Sequence, residues 1–174
     1  FPDAPIYIVD TRNVTLALGL LVMEALDMRD KGMGGREIYE AVTALVPRVR
    51  LYAVIGDLKY LKMGGRLSSA GAVMGTLLGI KPLIAIEEGK VVNIAKARGQ
   101  KQGFQMIGEK VMADGIDFSH RVIFGHSHAV PMMEELIQVM SEKLTFPVIE
   151  RCSIGPVVGT HAGPGCAGIA FIAQ

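Results

Sequence analysis

The stretch IKPLIAIEEGKVVNIAKAR, residues 80–98, constrains the fold more than any other part of the chain. Two runs rich in Val, Ile and Ala flank Gly89, and a short Gly-containing connection of this kind joins strands antiparallel. A sheet that includes this hairpin cannot be wholly parallel. The segments on either side alternate helical and strand periodicity, so the chain is expected to be α/β, with hairpin pairing and helix crossovers mixed.

Before the hairpin, PIYIVDT (5–11) has the composition of a buried strand. Thr15 is placed to N-cap a helix from Leu16, whose apolar positions Leu20, Val22, Met23 and Leu26 cover a broad face, with Gly32 as its stop. A second helix from about Arg36 carries Ile38, Val42, Leu45 and Val49, and Pro47 kinks or ends it. LYAVI (51–55) is a strand. Two strands and two helices are too little to cover both faces of a sheet. This part either pairs with something outside the chain or leans on the residues C-terminal to it. The boundary is expected near Gly56. Residues 1–55 would be the truncated C-terminal portion of a first, parallel α/β domain, and 56–174 an α/β sandwich with a largely antiparallel sheet.

In the second unit Asp57 can cap a short helix, DLKYLKM, and GGRLSSAGAVMG leads to a small-residue helix ending at Gly79. After the hairpin come a helix (100–113), a strand (121–124), a helix (131–143) and a strand (148–151). A helical turn around Val157 and Val158 precedes a last strand, GIAFIA.

Half of the 174 residues are hydrophobic, but only 6% are aromatic and none is Trp, so the core must be aliphatic. Eighteen basic against seventeen acidic residues give a net charge of +1, which provides no field for nucleic acid or an anionic membrane surface. Cys152 and Cys166 have no metal-type spacing and make no disulfide framework, which suits reduced thiols in the cytoplasm. No secretory leader opens the sequence, and its longest charge-poor run, 153–174, is broken by Pro156, Pro164 and repeated Gly, unlike an integral membrane segment. The chain starts at Phe1 and not Met, as a processed or truncated chain would.

Several motifs carry chemistry. In GTHAGPG (159–165) glycines on both sides of His161, Gly163 among them, permit positive φ and close backbone approach. The imidazole there can donate to an anionic oxygen, or the segment is a tight turn with a surface histidine. In GGR (64–66) a turn containing Gly65 holds Arg66, whose guanidinium can fork onto a carboxylate or phosphate or form an ordinary surface ion pair. HSH (126–128) has alternate histidines but no third ligand in a recognisable pattern, and its polar residues also suit the lead-in to a helix at Pro131. Cys166 lies near His161 in sequence, which is not enough to infer a nucleophilic dyad. The aliphatic run MGTLLGIKPLIAI (74–86), with Leu77, Leu78 and Ile80, is the material of a plain core or of an apolar tunnel.

Taken in order, DLKYLKMGGR, LLGIKPLIAIEEGKV, the KAR of Lys96–Arg98, and IGPVVGTHAGPGCAGIAF resemble the DegV family over essentially the whole chain. VDTRNVTLALGLLV also resembles the end of that family's first domain. Its best-understood members are fatty-acid-binding subunits of bacterial fatty acid kinase. The resemblance implies a two-domain carrier with no catalysis or cofactor of its own. It would bury a long-chain fatty acid and present the carboxylate to a kinase subunit, which makes an acyl phosphate for phospholipid synthesis. By motif, His161 and Arg66 fall at the carboxylate side, and Arg98 at the position thought to face the kinase. Gly65, Gly163, Leu77, Leu78 and Ile80 complete the expected binding set. The family's upstream Thr/Asp/Ser-type motif and serine segment have no counterpart here, so the resemblance also implies a missing N-terminal segment or fragment. Two other classes stay open: an acyl or phosphoryl transferase or hydrolase using His161, and a protein-interaction module docking through Arg98.

Overall fold

The computed structural model describes residues 3–66 and 79–174. Its elements are α1 (Thr15–Asp30), α2 (Gly35–Leu45), β1 (Val49–Val54), α3 (Lys59–Met63), β2 (Ile80–Glu87), β3 (Lys90–Arg98), α4 (Gln100–Asp114), β4 (Val122–Ser127), α5 (Val130–Ser141), β5 (Ile149–Ser153), α6 (Pro156–Ala162) and β6 (Cys166–Ile172), with one 3-10 turn at Val46–Arg48. The small-residue helix expected to end at Gly79, with Leu77 and Leu78, lies outside the described residues.

All six strands form one sheet in the order β3-β2-β1-β6-β4-β5. Only β4 and β5 are parallel; every other neighbouring pair is antiparallel. The chain is therefore α/β with a largely antiparallel sheet. The hairpin forms as its turn chemistry demands: Glu87 pairs with Lys90, and the two turn residues Glu88 and Gly89 both take positive φ, 47° and 74°. β1 precedes Gly56, yet it is hydrogen-bonded to both β2 and β6, so the sheet runs across the boundary expected there.

Strand alternation sends side chains to two cores. Tyr52 and Val54 point to the face covered by α4 and α5, with Phe104, Phe124, Leu136 and Phe171. Val49, Leu51 and Ala53 point to the opposite face, where α1 and α2 supply Leu16, Leu20, Leu21, Val42 and Leu45. The first fifty residues thus lean on the sheet of the rest of the chain.

Three local expectations are corrected. Pro5–Thr11 is not a strand, because β propensity needs a hydrogen-bonding neighbour and none is present among the described residues. Ile6 and Ile8 are accordingly 69% and 82% exposed. Thr15 is not the N-cap of α1; Val14 holds that position, and Thr15 is the first helical residue with φ +48°. The buried stripe of α1 is Leu16, Ala17, Leu20, Leu21 and Glu24, while Val22 and Leu26 face outward. A helix that is apolar nearly all round does not disclose its inner face from periodicity alone.

Candidate functional site

The two glycine-rich motifs meet. Helix α3 ends in a Schellman motif: Gly65 N–H donates to Lys62 C=O at 3.1 Å and Arg66 N–H to Leu61 C=O at 2.9 Å. Gly65 adopts φ +69° there, which a β-carbon would penalise. This turn delivers Arg66 to the residue just beyond the helix. Its Nη1 donates to Gly64 C=O at 2.7 Å, and among the described residues it has no carboxylate partner. At the start of α3, Asp57 Oδ1 accepts the Lys59 backbone N–H at 2.9 Å, and that bond holds its carboxyl below the usual range.

His161 is not in a loop. Pro156 fits the first turn of α6, where its missing N–H costs nothing, and His161 occupies the last. Gly163 closes the helix with φ +72°. The imidazole packs on Gly64 and the Tyr60 ring on Gly163, so closely that a β-carbon at either glycine would overlap the ring. Gly65 and Gly163 thus act as backbone devices that place Arg66 and His161. Nδ1 of His161 is buried with no hydrogen-bond partner among the described residues.

Arg66 and His161 both line one cavity of about 220 Å³. Its walls include Leu51 and Ala53 of β1, Ile55 just after that strand, Ile84 and Ile86 of β2, and Leu16 of α1. Val157, 79% exposed, also lines it. The result is an aliphatic chamber carrying a guanidinium and an imidazole. Cys166 lines it too, but burial pushes its thiol up to about 12, so it supplies no thiolate at neutral pH. Among the described residues His161 has no carboxylate partner.

Other expected residues fall elsewhere. Ile80 pairs with Arg98 at the end of the hairpin and does not line the chamber. Arg98 is exposed; its backbone N–H donates to Gln102 Oε1 at 2.6 Å. His126 Nδ1 accepts the Ala129 N–H at 3.1 Å and so serves the start of α5. Among the described residues no group of three or more His, Cys, Asp or Glu is placed to hold a metal ion. No described helix is long and apolar enough to cross a membrane. The chamber residues that sequence reasoning missed, Leu16, Leu51 and Ala53, carried no motif; the pairing of β1 with β2 and β6 brings Leu51 and Ala53 there, and the packing of α1 on the same face of the sheet brings Leu16.

The sequence pattern of a family described as "Uncharacterised protein, DegV family" matches residues 1–174. The chain belongs to the DegV family. A DegV domain-containing protein of Caldanaerobacter subterraneus is 35% identical over 167 residues, which are 95% of this chain and 60% of that protein. A fatty-acid-binding DegV family protein from Streptococcus agalactiae superposes with TM-score 0.87 at 29% identity, covering 99% of this chain and 62% of the other. A DegV family protein from Thermus thermophilus, solved for its fatty acid binding, gives TM-score 0.87 at 26% identity, with 99% and 62% covered. The chain spans about 60% of the length of the curated DegV relatives it matches.

Proposed function

We propose that this DegV chain is the tail-binding part of a fatty-acid carrier. The observation that carries the reading is the single chamber in which aliphatic walls meet Arg66 and His161. A long-chain acid brings about 0.8 kcal/mol per buried CH₂, but its carboxylate cannot enter an apolar site without donors. Arg66 has guanidinium N–H groups to spare, and His161 is the second donor. The fatty acid binding of the Streptococcus agalactiae and Thermus thermophilus relatives supports the same ligand class.

The carrier would be non-catalytic and need no cofactor. It would work in the cytoplasm and present the carboxylate to a kinase subunit for conversion to acyl phosphate. Family resemblance supports this, together with an exposed Arg98 free to meet a partner. The site would be completed by a further segment of a longer protein. The shorter span relative to its relatives supports that, as do the outward apolar side chains Ile6, Ile8, Leu18, Val22 and Leu26, which such a segment would cover. In that arrangement residues 1–55 finish a first domain through α1 and α2, and 56–174 make up the second, with β1 stitching the two through the shared sheet.

Delipidated protein should gain thermal stability with hexadecanoic acid, and His161→Ala or Arg66→Ala should each reduce the gain. No stabilisation by acids of any chain length would overturn the carrier reading.

A further inference from the structure

On the side toward β4 the chamber is bounded by Leu16, which lines it and is only 4% exposed. The far end of that side chain rests on Gly125 of β4. A β-carbon on Gly125 would overlap Leu16 Cδ2 and lie 3.0 Å from Cδ1, with Cys152 C=O next at 3.2 Å. Gly125 itself is buried beneath the leucine and does not line the chamber.

Strand register shows what Leu16 covers. Ala53 of β1 stands opposite Gly168 of β6, and Gly168 stands opposite Gly125 of β4. Directly opposed residues share a face, here the α1 side on which Ala53 packs. Ala53 and Gly168 line the chamber; Gly125, one strand further on, is shut off by Leu16. The boundary is therefore set by how deeply Leu16 settles on the sheet, and a residue without a side chain at 125 lets it settle fully.

A displaced Leu16 has one open direction. Ala17, Leu20 and Leu21 beside it on α1 are 0–1% exposed in the same packed core. The cavity that Leu16 borders is the chamber, about 220 Å³. Close-packed surroundings yield less readily than the free end of a leucine next to open space, so a methyl group at 125 would drive Leu16 into the chamber. Arg66 and His161 enter the chamber from α3 and α6, whereas Leu16 comes from α1, so the intrusion falls on the hydrocarbon of the ligand. Building on the carrier reading, we propose that Gly125 is a positioning residue for acyl-chain length: by seating Leu16 on β4 it fixes the longest tail that the chamber accepts.

Calorimetry on delipidated wild type, Gly125→Ala, Leu16→Ala and the double variant, with decanoic, tetradecanoic, hexadecanoic and octadecanoic acids, tests this. Each methylene that no longer fits costs about fourfold in affinity. Gly125→Ala should therefore weaken the longest acid that wild type binds by about tenfold or more, and leave decanoic acid within about threefold. Leu16→Ala should move the preference toward longer acids. In the double variant the added methyl has no leucine to displace, so its chain-length profile should return to that of Leu16→Ala. A merely loosened sheet would show no such rescue. Equal weakening of all four acids by Gly125→Ala, or a double variant that binds long acids no better than Gly125→Ala, overturns the inference while the carrier reading stands. If Gly125→Ala does not fold, Leu16→Ala decides, and a profile unchanged from wild type overturns the inference. If wild type binds none of the four acids, both fall.

Discussion

Gly64 lies flat against the imidazole of His161, so that any β-carbon on it would overlap Nδ1. The glycine is therefore a steric slot for the histidine as well as the C-cap of α3. Gly64→Ala should push the ring out of the chamber with only a modest loss of fold stability, about 1–3 kcal/mol for overpacking. Fatty acid affinity should fall about as far as in His161→Ala, measured by calorimetry beside urea unfolding. Unchanged affinity would mean that the histidine does not contact the head group.

Gly163 makes the reciprocal contact with Tyr60, and it does so at φ +72°. Gly163→Ala meets two penalties: roughly 1–3 kcal/mol for a non-glycine residue at φ +72° and ψ 174°, a backbone region held almost only by glycine, and the overlap with the Tyr60 ring. Adding Tyr60→Ala to it should relieve the overlap but not the backbone term. The double variant should then be less destabilised than the sum of the two singles, as a double-mutant cycle in urea would show.

How far the sequence disclosed this arrangement depends on the range of the interaction. The Glu88–Gly89 turn was legible because its geometry is local chemistry. The GGR motif was legible as an arginine on a glycine turn, and the Schellman bonds supply the mechanism. Pro5–Thr11 misled because Ile and Val report strand propensity and not the presence of a partner. His161 against Gly64, and β1 between β2 and β6, join segments far apart along the chain, and no periodicity encodes such pairings.

The C-terminal end of the sheet is tied by Arg48, whose Nε donates to Ala173 C=O at 2.9 Å and Nη2 to Asp117 Oδ2 at 2.6 Å. The Ser119 hydroxyl and then Arg48 hold the Asp117 carboxyl down to about 2, against an ordinary 3.8. A lowered carboxyl stabilises the fold above its ordinary value and loses that contribution as pH falls toward its folded value. Asp117→Asn should therefore lower Tm at pH 7, by a partly exposed pair's worth of no more than about 1 kcal/mol. The gap between variant and wild type should close between pH 4 and 2. A gap that persists at pH 2 would show that the lost side chain mattered for packing and not charge.

Glu24 is the one charged side chain among the buried described residues, 7% exposed on the inner face of α1. Its Oε2 lies 2.9 Å from His120 Nδ1, and its Oε1 accepts the Arg121 backbone N–H at 3.4 Å. One turn further on, Asp27 pairs with the Arg121 guanidinium. Together these bonds fasten α1 to the segment that enters β4, and α1 in turn carries Thr15 and Leu16 to the chamber wall. Glu24→Leu keeps the volume but strands His120 Nδ1 and the Arg121 N–H, at about 2 kcal/mol for buried polar groups left unpaired. Glu24→Gln keeps an acceptor and should lose less. If α1 positions the wall, Glu24→Leu should also weaken hexadecanoic acid binding while Glu24→Gln leaves it near wild type. Equal stability of the two variants in urea would mean that apolar packing alone docks the helix.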